Sequence, residues 1–181
     1  MRRYLIILCG LLGVSLAVAR PDDAAKSTAV RLLLSELQAG SMASEQYCAV
    51  VFDDRRFHFE KASRRLGRDR ERTVYEGQLS QADWDALAAI LDRKDLQDVD
   101  VPPGVPPLVI EDVHTYSISV ARGNKFQNME FLDKKSRKPY ELQLKPLLQW
   151  WKSFRGGRMV ESKVPPDARC SLDSSRAVFS Q

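Results

Sequence analysis

Residues 113 to 132 read Val-His-Thr-Tyr-Ser-Ile-Ser-Val-Ala-Arg-Gly-Asn-Lys-Phe-Gln-Asn-Met-Glu-Phe-Leu. His114, Tyr116, Ile118 and Val120 fall on one parity, and Thr115, Ser117 and Ser119 on the other. That alternation is the mark of a strand with one apolar face. Gly123-Asn124 sits where a tight hairpin turn needs positive φ, and Lys125 to Leu132 returns as the partner strand. A hairpin here makes an antiparallel sheet the frame for everything around it.

Working towards the N-terminus, residues 94 to 112 hold Pro102-Pro103-Gly104 and Pro106-Pro107, which forbid a regular helix. Before them, Ser80 and Asp83 resemble the N-cap and N3 positions of a capping box. A helix is expected from Gln81 to about Arg93, with Trp84, Leu87, Ala88 and Leu91 as its apolar stripe. Thr73 to Leu79 reads as a strand, and Lys61 to Arg72 as a charged connector. Tyr47 to Phe52 and the alternating Phe57 and Phe59 form a hairpin across Asp53-Asp54-Arg55. Val30 to Leu37 suits a strand, although Leu32-Leu33-Leu34 is equally compatible with a helix.

On the C-terminal side, Lys134 to Lys138 reads as a basic polar turn, and Pro139 opens a second helical stretch. Leu144, Leu147, Leu148 and Trp151 repeat the helical spacing, with Pro146 expected to kink or restart the helix, so its firm part runs from Pro146 to Phe154. Gly156-Gly157 ends it. The predicted class is α+β: a mainly antiparallel sheet with two amphipathic helices packed on one face, and a hairpin–helix plan occurring twice.

The first nineteen residues have the form of an export signal. Arg2 and Arg3 precede an apolar stretch from Tyr4 to Leu16, and Ala17-Val18-Ala19 offers small residues for cleavage. A membrane anchor is the rival, but the run of about sixteen apolar residues falls short of the roughly twenty a spanning helix needs. Processing after Ala19 leaves 26 basic and 24 acidic residues, a net charge of +2 in place of +4. The expected layout is a signal at residues 1 to 19, a leader from 20 to 29, one domain from 30 to 156 and a polar tail from 157 to 181. The expected destination is the periplasm or the exterior, with no stable membrane insertion after cleavage.

Cys48 and Cys170 are the cysteines that remain, and an oxidising compartment makes a disulfide their expected state. A closed loop of this length contributes about 4–5 kcal/mol in the chain-entropy model. The bond would staple the tail to a strand.

Signatures of common chemistries are missing from the sequence: it contains no Gly-x-Ser-x-Gly elbow, phosphate loop, HExxH or GxGxxG. No cofactor or metal is called for. His58 lies on the polar side of its strand. His114 could serve an acid–base or metal site with Glu111 or Asp112, or could be a strand-end histidine bonded to backbone. Two surfaces stand out. The stretch from Arg55 to Arg72, including Arg64, Arg65, Arg68 and Arg70, carries a local excess of cations suited to an anionic partner, or is a solvated loop. Nucleic acid is a poor fit because no aromatics interleave with those cations. The Pro-rich segment with Val101, Val105 and Leu108 suits docking into a partner groove, or covering the edge of its own sheet.

Several strings in order resemble a group of small exported bacterial proteins of acidobacterial type. They are Tyr75-Glu76-Gly77-Gln78-Leu79-Ser80, the Trp84/Leu87/Leu91 helix, the Pro-interrupted loop, the strand from Thr115 to Val120, and Lys138-Pro139 leading to Lys145-Pro146-Leu147-Leu148-Gln149-Trp150. In plan, residues 47 to 154 are also similar to emfourin-type inhibitors of thermolysin-like metallopeptidases. The resemblance implies a small non-catalytic domain that binds protein, with inhibition of a secreted peptidase as the narrower form. An uncharacterised hydrolase using His114 is the competing class.

Overall fold

The computed structural model describes residues 29–102, 113–159, 161 and 170. The expected signal and leader up to residue 28 lie outside the described residues, as do Val105, Leu108, Glu111, Asp112 and most of the tail. The fold is α+β. Six strands, β1 (Val30–Ala39), β2 (Ala43–Phe52), β3 (Arg56–Arg65), β4 (Glu71–Gln78), β5 (Val113–Arg122) and β6 (Lys125–Phe131), form one sheet in the order β4-β3-β2-β1-β5-β6. Every neighbouring pair is antiparallel. Among the described residues, no helix is long and apolar enough to cross a membrane.

The triple leucine is strand, not helix, because β1 is buried on both faces. Leu32 and Leu34 enter the main core, while Leu33 joins Val30, Cys48 and Val50 in a smaller cluster on the opposite face. A strand buried on both sides loses its alternation and reads as a continuous apolar run. A register shift between Val30 and Leu32 inserts Arg31 as an extra residue. That bulge places Val30 on the same face as Leu33, and it frees Arg31 to bond Asp92 at 2.5 Å.

The expected charged connector is instead a hairpin. β3 runs on to Arg65 and β4 begins at Glu71, with register pairs from Phe57↔Gly77 to Ser63↔Glu71. Charge hid the strands, because the turn end of this hairpin is exposed and carries polar residues on each face.

Helix α1 (Gln81–Leu91) follows β4. Ser80 caps it, its Oγ accepting from the Asp83 N–H at 3.1 Å and donating to Asp83 Oδ2 at 2.6 Å. A single turn, α2 (Lys94–Gln97), comes just before the prolines. The β5–β6 hairpin grips both: Arg122 donates to the Leu91 carbonyl at 2.7 Å, and Gln127 Nε2 to those of Leu96 and Val99 at 2.9 and 2.8 Å. After β6, the expected polar turn coils into α3 (Lys134–Arg137) and a 3-10 turn (Lys138–Tyr140). Asp133 nucleates the coil by accepting from Ser136 N at 2.6 Å.

Helix α4 (Glu141–Gly156) includes turns ahead of the expected firm part and continues through Pro146. The proline removes the bond to the Leu142 carbonyl. Leu142 is 80% exposed, so the break falls in a turn of the helix that water can reach. Leu144, Leu147 and Trp151 straddle the proline in one buried stripe, and this packing holds the two halves together. They meet Leu87 and Leu91 of α1 over the sheet residues Leu34, Ala49, Phe59 and Ile118.

Candidate functional site

Across the helix-covered face of the sheet, one register row reads Phe131, Tyr116, Glu36, Tyr47. Glu36 belongs to the parity of Leu32 and Leu34, so the sheet points its carboxylate under α4. It is 0% exposed. An unpaired buried carboxylate would cost several kcal/mol, and five groups converge to prevent that. Gln38 Nε2, His114 Nε2 and Tyr116 Oη lie 2.6, 2.8 and 3.0 Å from Oε1. Trp151 Nε1 donates to Oε2 at 2.6 Å, and Arg155 Nη1 is 3.0 Å from the same oxygen. Burial pushes the Glu36 carboxyl up. The bonds from Gln38, Trp151 and His114, with the Arg155 charge, outweigh it and hold the group below its ordinary range. Tyr116 is pushed up to about 12 by burial and by the Glu36 charge, so it remains a phenol that donates.

Outside this anchor lies an open cleft of about 810 Å³ between the α3 region, α4 and Tyr116. Its cations come from two segments: Lys134, Lys135, Arg137 and Lys138 from the first, and Lys145, Lys152 and Arg155 from α4. Among the described residues lining it, Glu141 is the one carboxylate. Half-buried Leu148 is its apolar side chain with accessible surface, and the buried Tyr116 and Trp151 form the floor beneath. The two arginines are ordered by aromatic faces. The Arg137 guanidinium sits 4.6 Å from the Tyr116 ring centre, and that of Arg155 4.6 Å from the Tyr47 ring centre. Stacking engages the flat face of a guanidinium and leaves its in-plane N–H donors for an anion. Arg155 commits one donor to Glu36, whereas Arg137 makes only a long 3.5 Å bond to the His114 carbonyl.

A second ionic cluster lies on the opposite sheet face. Glu60 receives Arg72 through Nε and Nη2 at 2.8 and 2.6 Å, His58 Nε2 at 2.9 Å and the Cys170 N–H at 2.5 Å. His58 Nδ1 reaches Glu76 at 3.0 Å. His58 is therefore on the polar side, as its parity requires, yet its side chain is only 12% exposed. Cys48 and Cys170 are disulfide-bonded with Cα atoms 5.9 Å apart, which places Cys170 beside this cluster. A smaller hollow of about 430 Å³ adjoins β4 and is walled by Phe57, Trp150 and Phe154.

The arginines read as one connector are divided between the two faces and the turn of the β3–β4 hairpin, where Arg64, Arg65, Arg68 and Arg70 are exposed. Arg64 and Arg65 are consecutive on β3 and so face opposite sides of the sheet. Arg70 bonds Gln46 at 2.7 Å, Arg72 pairs with Glu60, and Arg68 lies in the turn. Val101 packs against the main core, so it serves the domain's own interior. His114 meets Glu36 and Tyr116 side chains in place of the expected backbone partner. Among the described residues, no cluster of His, Cys, Asp and Glu has the make-up of a metal site.

Glu36 and the cleft escaped the sequence reading. The available signals were an acid on the core parity of a strand and a basic ladder, Lys138, Lys145, Lys152 and Arg155, at helical spacing. In comparisons with known proteins, the chain matches no protein-family model and no curated protein.

Proposed function

We propose that the chain is an exported, non-catalytic domain that acts by contact with a protein partner, and that the cationic cleft is the contact surface. The observation that carries this reading is the imbalance of the cleft, where, among the described residues, cations from two segments face one carboxylate. The buried carboxylate beneath is already satisfied by its own donors, so it neutralises Arg155 without consuming the rest. Surplus charge on a concave surface is an electrostatic attractor for a complementary partner.

Export is supported by the Cys48–Cys170 bond, which belongs to oxidising compartments, and by the signal-like N-terminus. The scaffold is read as a hairpin–helix plan used twice, β3–β4 with α1 and β5–β6 with α4, the two amphipathic helices sharing one sheet face. Glu36 is an anchor and not a general base, because both its oxygens are engaged by donors. Inhibition of a secreted peptidase is the narrower form of the same reading.

The test is affinity capture from the exported fraction of the native cell, with the wild-type protein and with a Lys145→Glu/Lys152→Glu variant as bait. The expected result is a partner retained by the first and lost by the second. Equal capture by both removes the cleft from the contact. Titration of secreted peptidases with the purified protein then decides whether that contact inhibits.

A further inference from the structure

We infer that the ligand of the cleft is an acidic peptide segment that also carries an apolar side chain, bound by its carboxylates and by that side chain together. This deepens the reading of the domain as a protein-binding module and rests on it. Two features select the chemistry. The first is the kind of cation: most are lysines, compact charges on flexible stems, spread along two segments instead of converging on one point. Dispersed lysines suit carboxylates spaced along a chain, whereas one phosphate calls for a convergent fork. The second is the wall. Half-buried Leu148 and the aliphatic stems of the exposed Lys145 and Lys152 present apolar surface between the cationic heads, over the buried Tyr116 and Trp151. Inorganic polyphosphate has nothing to bury there, while an Asp/Glu-rich segment with a Phe or Leu engages both sets.

Arg137 has the best-prepared donors. It is stacked on Tyr116, half-buried, and bonded only weakly to the His114 carbonyl. A carboxylate meeting its in-plane edge would leave the following side chain to settle on Leu148 and the neighbouring lysine stems.

The experiment uses the natively processed, disulfide-bonded protein and a fluorescein-labelled peptide of glutamates around a central Phe. Controls are the same peptide with Gln for Glu, the same with Gly for Phe, and inorganic polyphosphate as competitor. Expected are binding that falls about tenfold as salt is raised through the range in which surface charges are screened, and a loss of about tenfold for the Gln peptide. The Gly peptide should bind about fivefold more weakly, the effect of one partly buried apolar group. The Lys145→Glu/Lys152→Glu variant, both positions being exposed, should keep its circular dichroism and lose binding. Tighter binding of polyphosphate than of the Phe peptide, equal binding of the Gln or Gly peptide, or an unaffected variant overturns the inference. Partner capture through the cleft with any of those results sinks the ligand chemistry alone. Peptide binding as expected with no partner captured sinks the protein-contact reading alone.

Discussion

The indole N–H of Trp151 donates to Oε2 of Glu36 at 2.6 Å, tying the last long helix to the central strand across 115 residues. Both side chains are buried. Removing the carboxylate therefore strands an indole, a phenol and a guanidinium at once. Glu36→Ala should destabilise the fold by about 3–5 kcal/mol, in the range for breaking a buried ion pair from one side. Glu36→Gln keeps an acceptor and should cost less. Urea denaturation of these variants and of Trp151→Phe gives a double-mutant cycle with a coupling expected between about 0.5 and 3 kcal/mol. Additive losses would show that the bond contributes nothing.

The charge cluster on the other face makes stability depend on pH from both sides. Burial pushes the Glu60 carboxyl up, but bonds from His58, Arg72 and the Cys170 N–H bring it down to about 2 from 4.5. Its contribution is present above the unfolded value and is lost as pH falls towards the folded one. Burial lowers the His58 pKa, and the bonds to Glu60 and Glu76 raise it by more, so the net shift is upward from 6.5. That contribution is complete below the unfolded value and is lost as pH rises through the folded one. Both are in place between 4.5 and 6.5. The stability gap between wild type and Glu60→Gln should narrow as pH drops below that window, and the gap for His58→Gln should narrow above it. Chemical denaturation across the pH range checks both limbs.

The disulfide and this cluster are coupled, since the Cys170 backbone N–H is one of the donors to Glu60. Cutting the bond should cost about 2–5 kcal/mol. Cys48→Ser, Cys170→Ser and the double variant should lose nearly the same amount, because either single change opens the whole loop. The acid limb of the stability curve should also move to higher pH in each, as Glu60 loses a donor. Denaturation with and without reductant measures the first effect, and its pH series the second. An unmoved acid limb would uncouple the tail from Glu60.

What sequence could show followed from how locally each feature is written. The β5–β6 hairpin and α1 depend on periods of two and 3.6 and on the residues at Gly123 and Ser80, so their neighbours suffice to declare them. Glu36 is different. Apart from Gln38, its partners are distant, three of them 78, 80 and 115 residues away, and only the sheet register and the lie of α4 bring them together. The arginines of the β3–β4 hairpin differ in another way, for a run of charge in sequence is divided between two faces once it is a strand. The lysines after β6 fold into a helical turn that α4 then faces, and a cleft emerges from two stretches that each read as ordinary solvated surface.

Gly77 tests the packing at the sheet edge. It lies opposite Phe57 in the β3–β4 register, and a Cβ there would stand 2.9 Å from Cζ of that ring. The ring is held edge-on against Phe154 at 5.2 Å, so it must leave that contact to admit a methyl group. The adjoining hollow of about 430 Å³ gives it somewhere to go, which limits the damage. Gly77→Ala should cost about 1–2 kcal/mol, the overpacking penalty being partly offset by the lower entropy of the unfolded chain. In a Phe57→Leu background the clash is gone and only the entropic gain remains. There the same change should stabilise by about 0.4–1 kcal/mol. Urea midpoints of the four proteins decide the matter: a change of sign between the two backgrounds assigns the cost to the ring, and an equal loss in both would place it in the backbone of β4.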